Sequence, residues 1–176
     1  MSKIRLGVAG ANGAFGIKHL EALRAISDVD ITAVMATTME KATGVADRFD
    51  VPLRFDDYDT FIASDRVDAI ILATPTQLHA EQGIKAMAAG KHVLVEIPMA
   101  DSLADSERLV AKQAETGLVG MVGHVRRFNP SHQWVHNEIS KGALSIQQMD
   151  VQTYFFRRTN MNAKGEPRSW TDHLLW

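Results

Sequence analysis

Cysteine is absent from the chain. That excludes a disulfide frame, a thiolate nucleophile and any cysteine-held zinc or iron–sulfur centre, so redox chemistry here would need a borrowed cofactor. An excess of charge of one sign is missing too: 19 Lys and Arg stand against 21 Asp and Glu, and no block of like charge occurs. So balanced a chain offers no broad basic field to a phosphate backbone or an anionic membrane surface. Neither nucleic acid nor membrane is an expected partner. No apolar run nears the roughly 18 residues of a membrane span. The N-terminus goes straight into strand-like KIRLGVAG, without a charged n-region and a long apolar segment. Cytoplasm is the expected compartment.

What the chain does contain is core-forming material, with 45% of its 176 residues hydrophobic, enough for one good core. Short apolar runs alternate with helical patterns: IRLGVA, FGIKHLEALRAI, DITAVMA, then MEKATGVADRF. This βαβα order predicts an α/β fold, a doubly wound parallel sheet with helices on both faces. Further strands are expected at DAIILAT, HVLVEI and LVGMVGH, with helices from about Thr76 to Ala89 and Leu103 to Thr116. Gly90 and Gly117 follow those helices as stop signals.

After Gly123 the character changes to HVRRFNPSHQWVHNEISKGAL, a polar and aromatic helix opened by Asn129–Pro130, and then to a long expected strand, IQQMDVQTYFFRRTN. The closing NMNAKGEPRSWTDHLLW reads as a loop entering an apolar helix. A boundary near Gly123 therefore divides the chain into a dinucleotide-binding domain, 1–123, and the opening of an α+β substrate domain, 124–176.

The dinucleotide reading rests on GVAGANGAFGIKHL, where the first strand meets the first helix. Gly10, Gly13 and Gly16 form GxxGxxG, one residue longer than the usual GxGxxG. Glycines there let the backbone turn tightly and approach a pyrophosphate, whose charge meets the amides and dipole of the helix N-terminus. Asn12, Ala14 and Phe15 complete this turn. At the end of the second strand an NAD site normally carries Asp or Glu for the ribose 2′-hydroxyl. This chain has Ala36, Thr37 and Thr38, followed by Lys41. With no carboxylate there to repel a 2′-phosphate, NADP is the expected cofactor and NAD the alternative.

The run ATPTQLHAEQGIKAMAAGKHVLVEIPMA, the glycine turn before it and GHVRRFNP after it resemble the glucose-fructose oxidoreductase and inositol dehydrogenase family of NAD(P)-dependent enzymes. The matching features are Thr74–Pro75, His79, Ala89–Gly90–Lys91–His92, Glu96 with Pro98, and Arg127–Phe128–Asn129–Pro130. The resemblance covers the whole chain. It implies that Thr74, Pro75, His79, Glu96 and Ile97 join the glycine turn and Thr37 and Thr38 in lining the cofactor site. It also implies a homo-oligomer, expected as a dimer, built through a C-terminal sheet. A histidine-bearing helix and most of that sheet would follow Trp176, so the substrate half is expected to be incomplete here.

Closer likeness in VEIPMADS, MVGHVRRFNPSHQ and MNAKGEPRSWTDHLLW implies a branch of the family that oxidises a dicarboxylated cyclic hemiacetal during aromatic-compound breakdown. Most of the wider family carries lysine where Ile97 stands, donating to the substrate oxygen. Isoleucine only packs. A substrate that is already a hemiacetal needs its hydroxyl deprotonated while hydride leaves the same carbon, and a neutral histidine suffices for that. Ile97 would then shape and dry the pocket, or it is simply a buried strand-end residue.

For two substrate carboxylates the expected cations are one arginine from the pair Arg126 and Arg127 and one from the pair Arg157 and Arg158, since guanidinium forks grip carboxylates bidentately. Strand neighbours point to opposite sides, so at most one of Arg157 and Arg158 can enter one pocket. His124, at the end of the sixth expected strand, is the favoured base; Asp172 and His173 are further catalytic candidates close to the implied helix. His19 and His92 read as scaffold, and from its surroundings alone so does His79. No metal is expected: His132 and His136 are spaced four apart, but no third ligand is suitably placed and HExxH is absent. Two further readings stay open, a nucleotide-binding sensor without turnover and an inactive fragment.

Overall fold

The computed structural model describes residues 3–152 together with Met161 and Pro167. The chain divides into two compact units, Met1–Gly123 and His124–Trp176. The first unit holds a six-stranded, wholly parallel sheet in the order β3-β2-β1-β4-β5-β6. Its strands are β1 Ile4–Ala9, β2 Val29–Met35, β3 Leu53–Phe55, β4 Ala69–Leu72, β5 His92–Val95 and β6 Gly120–Val122. Between them run α1 Ala14–Leu23, α2 Met39–Phe49, α3 Tyr58–Ala63, α4 Thr76–Ala88 and α5 Leu103–Thr116. The order reverses between β1 and β4, the switch point of a doubly wound sheet.

Alternation along each strand feeds two apolar layers. Val8, Val34 and Ile71 pack with Leu20 and Leu23 of α1 and Val45 and Phe49 of α2. Their neighbours Ala9, Met35, Ile70 and Leu72, with Val93 and Val95, pack against Phe61, Ala86, Met87 and Leu109 on the other face. Both-sided burial explains why these strands read as continuous hydrophobic runs.

The expected helices after Thr74 and Ser102 form within a residue of the bounds read from sequence. Gly117 caps α5 at φ 65°, and Gly90 follows α4 at φ 79°, both in the left-handed region where glycine costs least. β3 and α3 are not evident from the sequence pattern. Three residues around an arginine carry little periodicity, and β3 is held by what surrounds it: Phe55 meets Phe61 edge-on at 5.6 Å. The Asp57 side chain caps α3 by accepting from the Thr60 amide.

In the second unit a 3-10 turn, Val125–Phe128, leads into α6, Pro130–Ser140. Asn129 caps α6, its side-chain oxygen accepting from the Ser131 and His132 amides, and Pro130 takes a first-turn position where no amide hydrogen is needed. The long strand expected from Ile146 needs correction. Residues 146–152 are exposed and belong to no strand. A strand exists through its ladder partner, and the bridge seen among the described residues of this unit joins Met161 to Pro167 instead. The rest of that expected strand, with Arg157 and Arg158, and the expected terminal helix, with Asp172 and His173, lie outside the described residues. Among the described residues no helix is long and apolar enough to cross a membrane.

Candidate functional site

The carboxyl ends of β1, β4 and β5 lie side by side at the switch point. Where β1 ends, Gly10 takes φ +74°, and a Cβ there would fall 2.5 Å from the Ala73 carbonyl oxygen that closes β4. Gly16 is pressed as closely: its Cβ would stand 2.3 Å from the Gly10 oxygen and 2.7 Å from Ala11 Cα. These two glycines let α1 start hard against the sheet. Gly13 differs. Its amide closes the turn onto the Gly10 oxygen at 2.9 Å, and a Cβ would meet that oxygen at 3.2 Å, a contact that small shifts could absorb. Gly13 is also the N-cap of α1 and supplies no side-chain oxygen to the first-turn amides, while that turn carries no acid. A helix N-terminus with no acid in its first turn, beside a glycine-rich turn, fits a pyrophosphate. Asn12, Ala14 and Phe15 stand exposed around it.

At the end of β2, Ala36 is buried and Thr37 and Thr38 are exposed. Thr38 caps α2, accepting from the Lys41 amide, and the Lys41 ammonium donates to Thr37 Oγ1 at 3.3 Å. The sequence motif thus becomes one cluster of two hydroxyls and a cation. The nearest acid along the chain is Glu40 in the first turn of α2.

The ends of β4 and β5 are braced by His79, which is 1% exposed. Its Nε2 lies 2.7 Å from the Thr74 carbonyl oxygen and its Nδ1 2.7 Å from that of Pro98. Thr74 Oγ1 donates to Gln82 Oε1 at 2.6 Å, and the Tyr58 hydroxyl donates to the Gln82 carbonyl at 2.7 Å. Burial pushes the Tyr58 phenol well above its ordinary pKa, so it stays a donor. Pro75 is exposed at the start of α4.

Beyond β5, Ile97 is half-buried and Glu96 is buried, with its Oε1 2.6 Å from His19 Nε2 of α1. His19, scaffold by its sequence surroundings, is therefore a direct partner of Glu96, which local pattern does not reveal. The pattern shows only its place: three residues after Gly16 and four before Leu23, His19 borders the buried stripe of α1. His92 does act as scaffold, its Nδ1 accepting from the Val119 amide. Among the described residues no group of three metal-ligating side chains occurs.

In the second unit Arg126, Arg127, His132, Gln133, His136 and Asn137 line an open pocket of about 680 Å³. The 3-10 turn, unlike a strand, brings both neighbouring arginines to the same pocket. His132 Nδ1 lies 3.1 Å from the Arg126 carbonyl oxygen; a carbonyl only accepts, so this nitrogen carries the hydrogen. With no carboxylate in its lining, the pocket suits an anion, and His132 and His136 are poorly placed to attract a metal cation. His124 is exposed at the head of the turn and is not part of that lining.

A parallel sheet of this order, with a glycine turn at the end of β1 and its crevice at the β1/β4 reversal, defines a dinucleotide-binding Rossmann domain. Comparison with known proteins takes the assignment further. Residues 4–124 match the model of an oxidoreductase family with an NAD-binding Rossmann fold, and residues 130–176 match that of bacterial oxidoreductases, C-terminal. The chain belongs to the Gfo/Idh/MocA oxidoreductase family.

It is 61% identical over 173 residues to 4-carboxy-2-hydroxymuconate-6-semialdehyde dehydrogenase from a Sphingobium species, covering 98% of this chain and 55% of that protein. It is 32% identical to inositol 2-dehydrogenase from Rubrobacter xylanophilus, over 94% of this chain and 46% of that one. Among solved structures, a 3-ketoreductase from Actinomadura kijaniata in complex with TDP-benzene and NADP superposes with a TM-score of 0.74 at 31% identity, covering 81% of this chain and 45% of that one. The chain spans about half the length of the curated relatives it matches.

Proposed function

We propose that this chain serves an NADP-dependent oxidation of the cyclic hemiacetal of 4-carboxy-2-hydroxymuconate-6-semialdehyde to 2-pyrone-4,6-dicarboxylate, a step in the meta-cleavage of protocatechuate. The observation that carries the reading is the 61% identity to the semialdehyde dehydrogenase, which runs through both units and 98% of the chain. The local chemistry agrees with it.

Gly10, Gly13 and Gly16, with Asn12, Ala14 and Phe15, would hold the pyrophosphate. Thr37, Thr38 and Lys41 would take the 2′-phosphate of the adenine-side ribose. Thr74, Pro75, His79, Glu96 and Ile97 would form the nicotinamide side, because a doubly wound sheet lays the two halves of a dinucleotide on either side of its switch point. When bound, the nicotinamide supplies a hydride acceptor. Ile97 transfers no proton; its apolar side chain dries its surroundings, which strengthens nearby electrostatic interactions. The hemiacetal hydroxyl proton passes to a base as its carbon loses hydride and becomes the lactone carbonyl. His124, Asp172 and His173 are the proposed carriers of that proton. Arg126 and Arg127 would hold substrate carboxylates, with Arg157 and Arg158 as further candidates.

A second reading, a nucleotide sensor without turnover, draws on Ile97 alone, since isoleucine cannot act as an acid or base. The two separate in one assay. The dehydrogenase reading expects reduced nicotinamide to accumulate, followed by its absorbance band, when the protein is mixed with NADP and the semialdehyde. In a protein that spans the full length of these relatives, tight NADP binding with no turnover of that substrate would overturn it in favour of the sensor.

A further inference from the structure

Glu96 is the one buried carboxylate among the described residues. It belongs to neither apolar layer. It follows Leu94 by two positions and so shares that residue's face of the sheet, the face on which α1 packs. Burying a carboxylate is costly unless it is partnered. The partner comes from a distant element: His19, in the second turn of α1, is 77 residues away in sequence and 2.6 Å away in space. The carboxylate only accepts, so His19 Nε2 is the donor. Gly123 also borders the carboxylate: a Cβ there would stand 3.1 Å from Glu96 Oε1 and 3.5 Å from Oε2.

In the sheet order β1-β4-β5, this pair ties the helix whose N-terminus faces the pyrophosphate to the end of a strand two places over. The bond therefore spans the switch point. It sets the position of Glu96 from the pyrophosphate helix as well as from Glu96's own strand, and Gly123 leaves the room that the carboxylate occupies.

We infer that His19 is a positioning residue, and Gly123 its steric counterpart, which together fix Glu96 for the nicotinamide half of the dinucleotide. The inference rests on the cofactor assignment above. The ligand group concerned is one that donates hydrogen bonds, the ribose hydroxyls or the carboxamide, because a carboxylate offers only acceptors. His19 touches no part of the cofactor in this scheme and acts through Glu96.

The test compares two probes on the 176-residue chain by fluorescence and calorimetric titration. NADPH has both nucleotide halves, and adenosine 2′,5′-bisphosphate has only the adenine half. His19→Ala and Gly123→Ala should each weaken NADPH by about tenfold, the size expected when a hydrogen bond to a charged group is lost, and leave the bisphosphate unchanged. His19→Gln, which returns a donor near the Nε2 position, should recover most of the NADPH affinity. Unchanged bisphosphate binding also shows that each variant is folded.

Should Gly123→Ala fail to fold, Glu96→Gln, which keeps the shape and removes the charge, decides the matter by showing the same selective loss. Equal loss of both probes, or undiminished NADPH affinity in His19→Ala, overturns the inference. A parent chain that binds the bisphosphate and NADPH equally well overturns it too and leaves the adenine-side assignment standing. A parent that binds neither removes the cofactor assignment itself.

Discussion

Alanine placed at Gly13 and, separately, at Gly16 should pull cofactor binding and folding apart. At Gly16 the new methyl would lie 2.3 Å from the Gly10 carbonyl oxygen and 2.7 and 2.9 Å from two backbone atoms of Ala11. None of these is a side-chain tip that can swing away, so the turn must move by about 1 Å, and overpacking of this kind costs about 1–3 kcal/mol. Alanine's better helix propensity returns up to about 1 kcal/mol. A net loss of about 1–2 kcal/mol should remain, lowering Tm by several degrees in a domain of this size.

At Gly13 the closest contact is a single oxygen at 3.2 Å. Alanine is a poorer N-cap than glycine by about 0.5–1 kcal/mol, and its restriction of the unfolded chain offsets that by about 0.4–1 kcal/mol. Stability should therefore hold. The methyl would occupy the approach of a pyrophosphate to the turn, however, and NADPH affinity should fall at least about tenfold, or 1.4 kcal/mol. Urea denaturation and NADPH titration on the same preparations measure both quantities. A Gly13→Ala chain that binds NADPH like its parent would refute the placement of the pyrophosphate, and an unharmed Gly16→Ala chain would refute the close approach of α1 to β1.

Other expectations follow from different parts of the chain. Thr37→Asp should move preference from NADP towards NAD, because a carboxylate repels the 2′-phosphate and accepts from a ribose hydroxyl; equal loss for both cofactors in paired titrations would contradict it. Arg5 donates to Asp68 from side chain and backbone and lowers its carboxyl from 3.8 to about 2. A depressed carboxyl stabilises the fold above its unfolded pKa and loses that contribution as pH falls through the folded one. Both side chains are more than a third exposed, so Asp68→Asn should cost at most about 1 kcal/mol at neutral pH. The gap from the parent should close between pH 4 and pH 2 in denaturant titrations; a constant gap would sink the account. In turnover assays on the dicarboxylated hemiacetal, run with a protein that spans the full length of the relatives, Arg127→Ala should lower kcat/KM by a factor equivalent to about 2 kcal/mol or more, whereas Ile97→Lys should bring no gain. A more active Ile97→Lys enzyme would remove the hemiacetal reading.

The doubly wound sheet could be read ahead of the structure wherever a strand is buried on both faces, as AIIL is, because such strands are apolar without interruption. Helix ends were legible where chemistry forces them, at Gly117 and at Asn129–Pro130. The short β3 was not, since Leu53–Phe55 owes its place to β2 and to Phe61, neither of which local pattern reveals. The strand expected at Ile146 failed in its described part for the opposite reason: alternation predicts what a segment can do once a partner exists. At the site, the glycine turn and the Thr37–Thr38 cluster follow from local sequence. The His19–Glu96 bond does not, because it joins residues from two elements that only the packing of α1 on the sheet brings together. The shared lining of Arg126 and Arg127 likewise depends on a 3-10 turn that the sequence reading did not foresee.

The His79 brace bears on the kinetics of capture. Its ring is wedged between the Thr74 and Pro98 carbonyls, so the turns after β4 and β5 are tied to each other before any dinucleotide arrives. Loops that must be ordered on binding charge their lost freedom against affinity and slow the approach to equilibrium. Turns already held in place avoid both penalties. NADPH association with this domain should accordingly follow a single exponential whose rate rises linearly with NADPH concentration, without the plateau that a slow rearrangement would impose.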